Sequence, residues 1–401
     1  MTRDVSAVVT GVGLVTAAGP DAARTWAAVR AGRATAAPDP ELRDLPTSLS
    51  CRVADVAALR PRVPGAAHLD PCARMGLAAV AEALDAAKLD PAEWEGDRVA
   101  VVTGCSAGGA GSLRTAAGRL AADGPRSVSP YFLTGYLANM VCGSLTQHFG
   151  VTGPALNVAT ACASGATALG TARDLLASGR CDIAVVCGAD AAVTPLMVTG
   201  FSQLRALSDT GSRPFDKARD GFVIAEGAGA LVLERPEHAA ARSAPRFARL
   251  LGYGATSDAH HLVAPHPEGR HAERALRAAL AEAGLAPAEI GHVNAHGTST
   301  PRGDAVEAAV LSRVFPHHPP VTSAKGTLGH TLGAAGAIEA ALTALALQAE
   351  LVPPTAGLSD LDPACPIDAV TGTPRPVSSP YAVSNSFGFG GHNAVVVLAR
   401  D

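Results

Sequence analysis

Short β-branched runs alternate with Ala- and Leu-rich stretches along nearly the whole chain, and this alternation restricts it to the α/β class. The pattern predicts strands at 7–10, 99–103, 156–159, 183–187 and 230–233, then at 247–251, 292–295, 321–323, 382–385 and 394–398. It predicts helices at 21–31, 74–87 and 164–178, then at 272–283, 304–314 and 334–347. The two halves read as a weak internal duplication. In each, a strand runs into a turn with a reactive residue, and a helix of small residues follows. One turn is Thr160-Ala161-Cys162-Ala163-Ser164-Gly165; the other is Thr327-Leu328-Gly329-His330-Thr331-Leu332-Gly333. Leu169, Ala172 and Leu176 give the first helix an apolar stripe, and Ile338, Leu342 and Leu345 give one to the second. Two such helices, poor in charge, can lie side by side at the centre of a five-layer α/β/α/β/α fold. The expected joint at 234–245 divides the chain into a half at 1–245 and a half at 246–401.

The chain has 401 residues, of which 48% are apolar, enough to bury a large core in two or three domain-sized units. Its net charge of −4 supplies no basic field, and only 4% of residues are aromatic. Neither nucleic acid nor an anionic membrane is therefore an expected partner. Residues 1–19 are apolar enough to resemble a signal peptide, but Asp4 follows Arg3 directly, and Gly11 and Gly13 break the run. They read as a first strand and turn. No run of eighteen apolar residues occurs, so a cytoplasmic location is expected. Eight cysteines without a CxxC pair read as reduced thiols, mostly buried. The Ala/Pro-rich segments 34–40 and 60–67 read as surface loops.

Five features could carry chemistry. Cys162 sits between a predicted strand and a predicted helix start, where helix amides favour a thiolate. His296 ends a predicted strand, the place where open α/β sheets gather catalytic groups. His330 precedes a helix start, which disfavours the imidazolium. Lys325 is one of only three lysines among 32 basic residues, and Glu339 lies in the helix beyond, so a buried Lys–Glu pair beside His330 is possible. Ser386-Phe387-Gly388-Phe389-Gly390-Gly391-His392-Asn393 is a glycine-rich loop whose backbone amides can face a ligand. Taken singly, each has a bland reading: a structural cysteine, satisfied histidines, a surface lysine, a tight hairpin. Gly11-Val12-Gly13 lacks the third glycine of a dinucleotide fingerprint. No HExxH occurs, and the adjacent pairs His260-His261 and His317-His318 point different ways, so no metal is expected.

Together, TACASG around Cys162, SRPFDKARDGF from Ser212, VNAHGTSTP around His296, SAKGTLGHTLGAAGAIE around His330 and NSFGFGG from Asn385 resemble one family in the right order. The chain is similar to elongating β-ketoacyl-acyl-carrier-protein synthases, which include ketosynthases of bacterial type II fatty acid and polyketide systems. The resemblance implies a thiolase-like fold and a Cys162–His296–His330 triad supported by Lys325 and Glu339. It implies an oxyanion hole from the amides of Cys162 and Phe389. Thr298, Thr300, Phe387 and Phe389 would meet the phosphopantetheine arm, with Phe389 gating the acyl pocket. Ala107 would line that pocket, and Tyr136 would cap it near the subunit interface. These two positions imply a pocket wide near Cys162 and limited in length, suited to medium or polyene-like acyl chains. No cofactor is expected on the chain, because phosphopantetheine arrives on the acyl carrier protein. The implied partners are acyl- and malonyl-loaded carrier protein and a second subunit, in a homodimer or a heterodimer with a homologous chain-length-factor-like chain. Ala225, Val263, Ala264, Ala107 and Tyr136 depart from the usual residues. A thiolase would need a second cysteine within 387–393, an initiating synthase Asn at 330, and a silent chain-length subunit would lack Cys162. Fatty acid and polyketide members share every one of these catalytic residues.

Overall fold

Ten strands pair edge to edge in the computed structural model, which describes residues 6–59 and 69–401. The loop predicted at 60–67 lies outside the described residues. The strands are β1 (Ala7–Val15), β2 (Val99–Gly104), β3 (Ala155–Val158), β4 (Ile183–Asp190), β5 (Gly227–Glu234), β6 (Ala248–Ser257), β7 (His292–Asn294), β8 (Val321–Thr322), β9 (Tyr381–Gly388) and β10 (His392–Ala399). Their order is β8-β7-β9-β10-β6-β1-β5-β4-β2-β3. Read outward from the β1–β6 seam, β1-β5-β4-β2-β3 and β6-β10-β9-β7-β8 follow one plan. The first two pairings are antiparallel and the last two parallel in both. The duplication expected from the sequence is a duplication of topology.

Five helices build the layers: α1 (Pro71–Ala87), α2 (Ser164–Ala177), α3 (Arg270–Ala283), α4 (Pro301–Val314) and α5 (Ala335–Ala349). Successive strand residues face opposite sides. Val186 and Leu231 join Leu169, Leu176, Ile338 and Leu342 in a central core around α2 and α5. Their neighbours Val185 and Val232 pack outward with Met75, Leu77 and Leu84 of α1. In the other half Val395 and Val397 pack outward with Leu276, Leu280 and Leu311 of α3 and α4. Both faces are covered, which is why the strands read as nearly continuous apolar runs. The stretch Leu332–Ala349 is long and apolar enough to cross a membrane, but it is 83% buried inside this core.

The strands differ from expectation mainly in length. β1 was expected to stop at Thr10 and runs through Gly11 and Gly13 to Val15. A Cβ at Gly11 or Gly13 would lie 2.0 Å from the carbonyl oxygen of Ala83 or Ala79 in α1. The glycines mark a close helix approach within a strand, not its end. Helices at Ala110–Asp123, Met140–Phe149 and Pro195–Gln203 were not predicted. The first of them buries no residue.

His292, in β7, is 1% exposed, and neither ring nitrogen has a hydrogen-bond partner among the described residues. Burial pushes its pKa down to about 3. It is neutral when folded, whereas the unfolded chain takes up this proton below about 6.5. Its contribution to stability is therefore full above that pH and is lost as pH falls toward the folded value. Between pH 6 and 4, His292→Leu should gain on the wild type by about 1.4 kcal/mol per pH unit in denaturant titrations. Parallel pH profiles for the two proteins would exclude this source.

Candidate active site

Cys162 is reached from β3 through a 3₁₀ turn, Ala161–Ala163, that leads directly into α2. Ala161 holds a left-handed backbone with φ +49°, a conformation that disfavours any residue with a Cβ. The second half repeats the device: Leu332, φ +52°, opens the turn Leu332–Ala334 ahead of α5. The two helices cross where a Cβ at Gly165 would lie 2.4 Å from the Ala337 nitrogen, and one at Gly336 would lie 2.4 Å from the Ala166 nitrogen. This close crossing fixes the Cys162 turn between the halves. Cys162 is partly exposed, while the seven other cysteines are buried.

A cavity of about 500 Å³ gives Cys162 its exposure. His296, His330, Phe387 and Phe389 line it with Cys162, and Thr298 and Thr300 line it farther along. The two threonine hydroxyls are 3.0 Å apart. Val263 and Ala264 form part of the wall. Ala107 and Tyr136, expected beside the acyl pocket, are not among the lining residues. The Ala107 N–H donates to Asp190 Oδ1 at 3.0 Å, fixing the segment after β2, and Tyr136 stacks on Phe132 with centroids 5.5 Å apart.

The backbone amides of Phe389 and of Cys162 itself act on the Cys162 sulfur in the direction that favours its thiolate. Gly388 allows this approach, because a Cβ there would lie 2.5 Å from the Thr160 carbonyl oxygen and 3.1 Å from the Cys162 nitrogen. The thiolate expected from the helix start is not the resting form. Burial pushes the thiol up to about 12, against the Lys325 ammonium and the two amides. Alkylation of Cys162 by iodoacetamide should therefore quicken about tenfold per pH unit from pH 7 to 10, without levelling off. A plateau below pH 8 would reveal a resting thiolate.

His296 and His330 meet edge to face, with centroids 5.5 Å apart. His330 is fixed through its backbone: its N–H donates to the Val223 carbonyl at 2.8 Å, and its carbonyl accepts from the Ala225 N–H at 3.0 Å. Phe222 packs edge-on against its ring. Both imidazoles are held well below their ordinary range, by burial first and then by the Lys325 ammonium, with His330 adding to the effect on His296. The neutral His330 expected from a helix dipole is thus neutral for a different reason. Lys325 is 1% exposed; its Nζ donates to the His296 carbonyl at 2.6 Å and to Glu339. Burial pushes the Glu339 carboxyl up to about 7, opposed by Lys325. The pair ties the His296 loop to α5.

A second buried carboxylate, Glu307, was not anticipated. It accepts from the N–H groups of His296 at 2.8 Å and Gly297 at 2.7 Å, and from Asn385 Nδ2 at 3.0 Å. Asp304, one turn earlier in α4, accepts from the Phe215 N–H at 2.8 Å and lies 3.8 Å from the Arg219 guanidinium. The SRPFDKARDGF segment thereby braces the His296 loop. The signal available in sequence was the i, i+3 spacing of two acids on the face of a helix that begins beside His296.

The chain is similar to known proteins along most of its length. Residues 5–239 match the family model described as "Beta-ketoacyl synthase, N-terminal domain", and residues 247–359 match the corresponding C-terminal domain. The chain is 40% identical over 343 residues to "3-oxoacyl-[acyl-carrier-protein] synthase 2" of Staphylococcus aureus (strain COL), covering 84% of this chain and 83% of the relative. It superposes on "The ishigamide ketosynthase/chain length factor" with a TM-score of 0.93 at 32% identity, covering 99% of both chains. It also superposes on a type II "acyl-carrier protein in complex with its ketosynthase bound to the hexaketide", with a TM-score of 0.90 at 27% identity over 98% of this chain and 99% of that one.

Proposed function

The chain belongs to the β-ketoacyl synthase family, and we propose that it is an elongating 3-oxoacyl-[acyl-carrier-protein] synthase of type II fatty acid or polyketide synthesis. One observation carries this reading: Cys162, His296 and His330, from three distant segments of the chain, line a single cavity. The reaction is a decarboxylative Claisen condensation in two stages. The Cys162 sulfur first attacks the carbonyl of an acyl thioester borne by the carrier protein. A new C–S bond forms, and the carrier's sulfur leaves with the proton that Cys162 gives up. Because the thiol is held up at about 12, the proton moves as the sulfur attacks, relayed by a neutral imidazole.

A malonyl thioester then loses carbon dioxide. The bond to its carboxylate breaks, and the electron pair becomes an enolate. The enolate carbon attacks the acyl–Cys162 carbonyl, a carbon–carbon bond forms, and the Cys162 sulfur is released to take up a proton. His296 and His330, each neutral, have one N–H to offer the enolate oxygen. The amides of Cys162 and Phe389 receive the oxyanion of the tetrahedral intermediate. Lys325 and Glu339 position the His296 loop, and Thr298, Thr300, Phe387 and Phe389 bind the phosphopantetheine arm that the carrier brings. On this reading residues 1–245 form the half with the nucleophile and 246–401 the half with both histidines.

Acyl- and malonyl-loaded carrier proteins are the partners of this chemistry, as in the carrier-bound ketosynthase above. β3 ends the sheet with Ala155 and Leu156 exposed, and Leu133 and Leu137 are exposed as well. An unpaired edge with exposed apolar residues suits a second subunit, either a copy of this chain or a homologue of the chain-length-factor type. Eight unpaired cysteines suit a reducing compartment, and the reading places the enzyme in the cytoplasm.

The test is purification of the chain alone, then mass spectrometry of Cys162 after incubation with a panel of acyl-carrier thioesters. An acyl adduct confined to Cys162 supports the reading, and a folded protein that forms no adduct with any of them sinks it. Gly388→Ala should lower condensation about 100-fold by pushing the Phe389 amide away from the Cys162 turn. Unchanged condensation in that variant would remove Phe389 from the oxyanion hole.

A further inference from the structure

The reacting groups lie at the buried end of the cavity, where His296 and His330 are 8% and 2% exposed. At the other end the lining is open, with Leu204 49% exposed and Arg205, Pro301 and Arg302 also exposed. Arg205 follows the helix Pro195–Gln203, and Arg302 is the second residue of α4, so two separate elements each bring a guanidinium to the mouth. Neither makes an ion pair among the described residues. Arg205 keeps a left-handed backbone, φ +54°, which a glycine would adopt more readily.

The carboxylates of the lining do not balance this charge. Asp258 is 5% exposed and accepts from Asn393 Nδ2 at 2.8 Å and the His266 N–H at 2.9 Å. Glu307 is 2% exposed and committed to the His296 loop. Both histidines are held neutral. The third wall, Val263-Ala264-Pro265, offers no side-chain donor. Two uncompensated positive charges therefore stand at the mouth of a tunnel in a chain whose net charge is −4. A local field of this sign selects an anionic group where the overall field would not.

We propose that Arg302, with Arg205, binds the phosphodiester of the phosphopantetheine arm at the cavity mouth and so positions the thioester against Cys162. The inference rests on the condensing-enzyme reading, which puts a long arm with a single anionic group through this opening. A guanidinium can donate two parallel N–H bonds to phosphate oxygens, a geometry that an ammonium does not reproduce. Arg302 acts here as a positioning residue, away from the reacting atoms.

The experiment compares two small thioesters of one acyl group, the neutral acyl-pantetheine and the charged acyl-4′-phosphopantetheine, by their rates of Cys162 acylation. The wild type should prefer the phosphorylated form by about 10- to 100-fold. Arg302→Ala should bring that ratio close to one, Arg302→Lys should restore part of it, and raised salt should erode it. A wild type without preference, or an Arg302→Ala variant that slows both thioesters at a constant ratio, overturns the assignment. So does a variant that loses rate only with carrier-bound substrate and keeps the small-thioester ratio, because Arg302 would then be reading acidic groups on the carrier. Failure of both thioesters to acylate Cys162 in the wild type overturns the condensing-enzyme reading itself, and this assignment with it.

Discussion

Cys162→Ala will abolish condensation and leave the fold in place. Without the sulfur no acyl-enzyme forms, and removing the nucleophile of a group that acts as a unit lowers turnover by about 10⁴-fold or more. The fold should survive because the side chain borders an open cavity and shrinks by one atom; its turn is held by the α2–α5 crossing. The roles of the other residues also separate here. His296 and His330 remain in the variant, so malonyl-carrier should still release carbon dioxide while no carbon–carbon bond forms. His330→Asn should show the reverse, with Cys162 acylated and decarboxylation slowed by about 100-fold or more. Radiolabelled carbon dioxide release and intact-protein mass spectrometry read the two steps independently. Decarboxylation lost in Cys162→Ala and kept in His330→Asn would overturn the division of labour.

Lys325 should give the largest effect on stability. It is buried, with an ammonium shared between Glu339 and the His296 carbonyl. Lys325→Ala leaves Glu339 buried without its cation, which costs about 3–5 kcal/mol and frees the His296 loop from α5. Lys325→Arg keeps the charge but must fit a wider, planar group into a filled site, so it should lose most activity as well. The double variant Lys325→Met/Glu339→Leu separates the two roles: it removes both charges and should recover much of the stability while remaining inactive. Guanidinium denaturation and condensation assays check each outcome. An active Lys325→Arg variant with unchanged denaturation would mean that the ammonium neither braces the loop nor shapes the site.

The pKa directions add a test of sign. The Lys325 ammonium lowers the pKa of both His296 and His330. Removing it should raise the pKa of both imidazoles, read by NMR titration of the histidines in the inactive Lys325→Met/Glu339→Leu variant. Burial, the larger cause for both, remains, so both should stay below the ordinary histidine range.

Much of this site was legible because its chemistry depends on residue type within short segments. Cys162 in its turn, His296 after its strand, His330 before its helix and the unusual Lys325 each carry a local signal. The strands were legible because they are covered on both faces and so form apolar runs, and α2 and α5 because their small residues and stripes mark helices packed closely together. The length of β1 was not legible. Gly11 and Gly13 look like the end of a strand until α1 is seen to lie within contact of them. Glu307 was missed for a related reason: an acid on an amphipathic helix reads as solvated unless the loop it caps is known to lie beneath it.

The sequence by itself determined the order of the elements, their duplication and the candidates for the reacting groups, because periodicity and side-chain chemistry are properties of neighbours along the chain. Only the tertiary structure decided how those groups behave. Burial in a shared core holds the Cys162 thiol up at about 12 and both imidazoles neutral, where sequence alone pointed to a thiolate favoured by helix amides. It also decided which residues line one cavity: Arg302 and Arg205 come to its mouth, and Ala107 and Tyr136 are not in its wall. Desolvation and convergence in space depend on atoms from distant parts of the chain, and no local pattern records them.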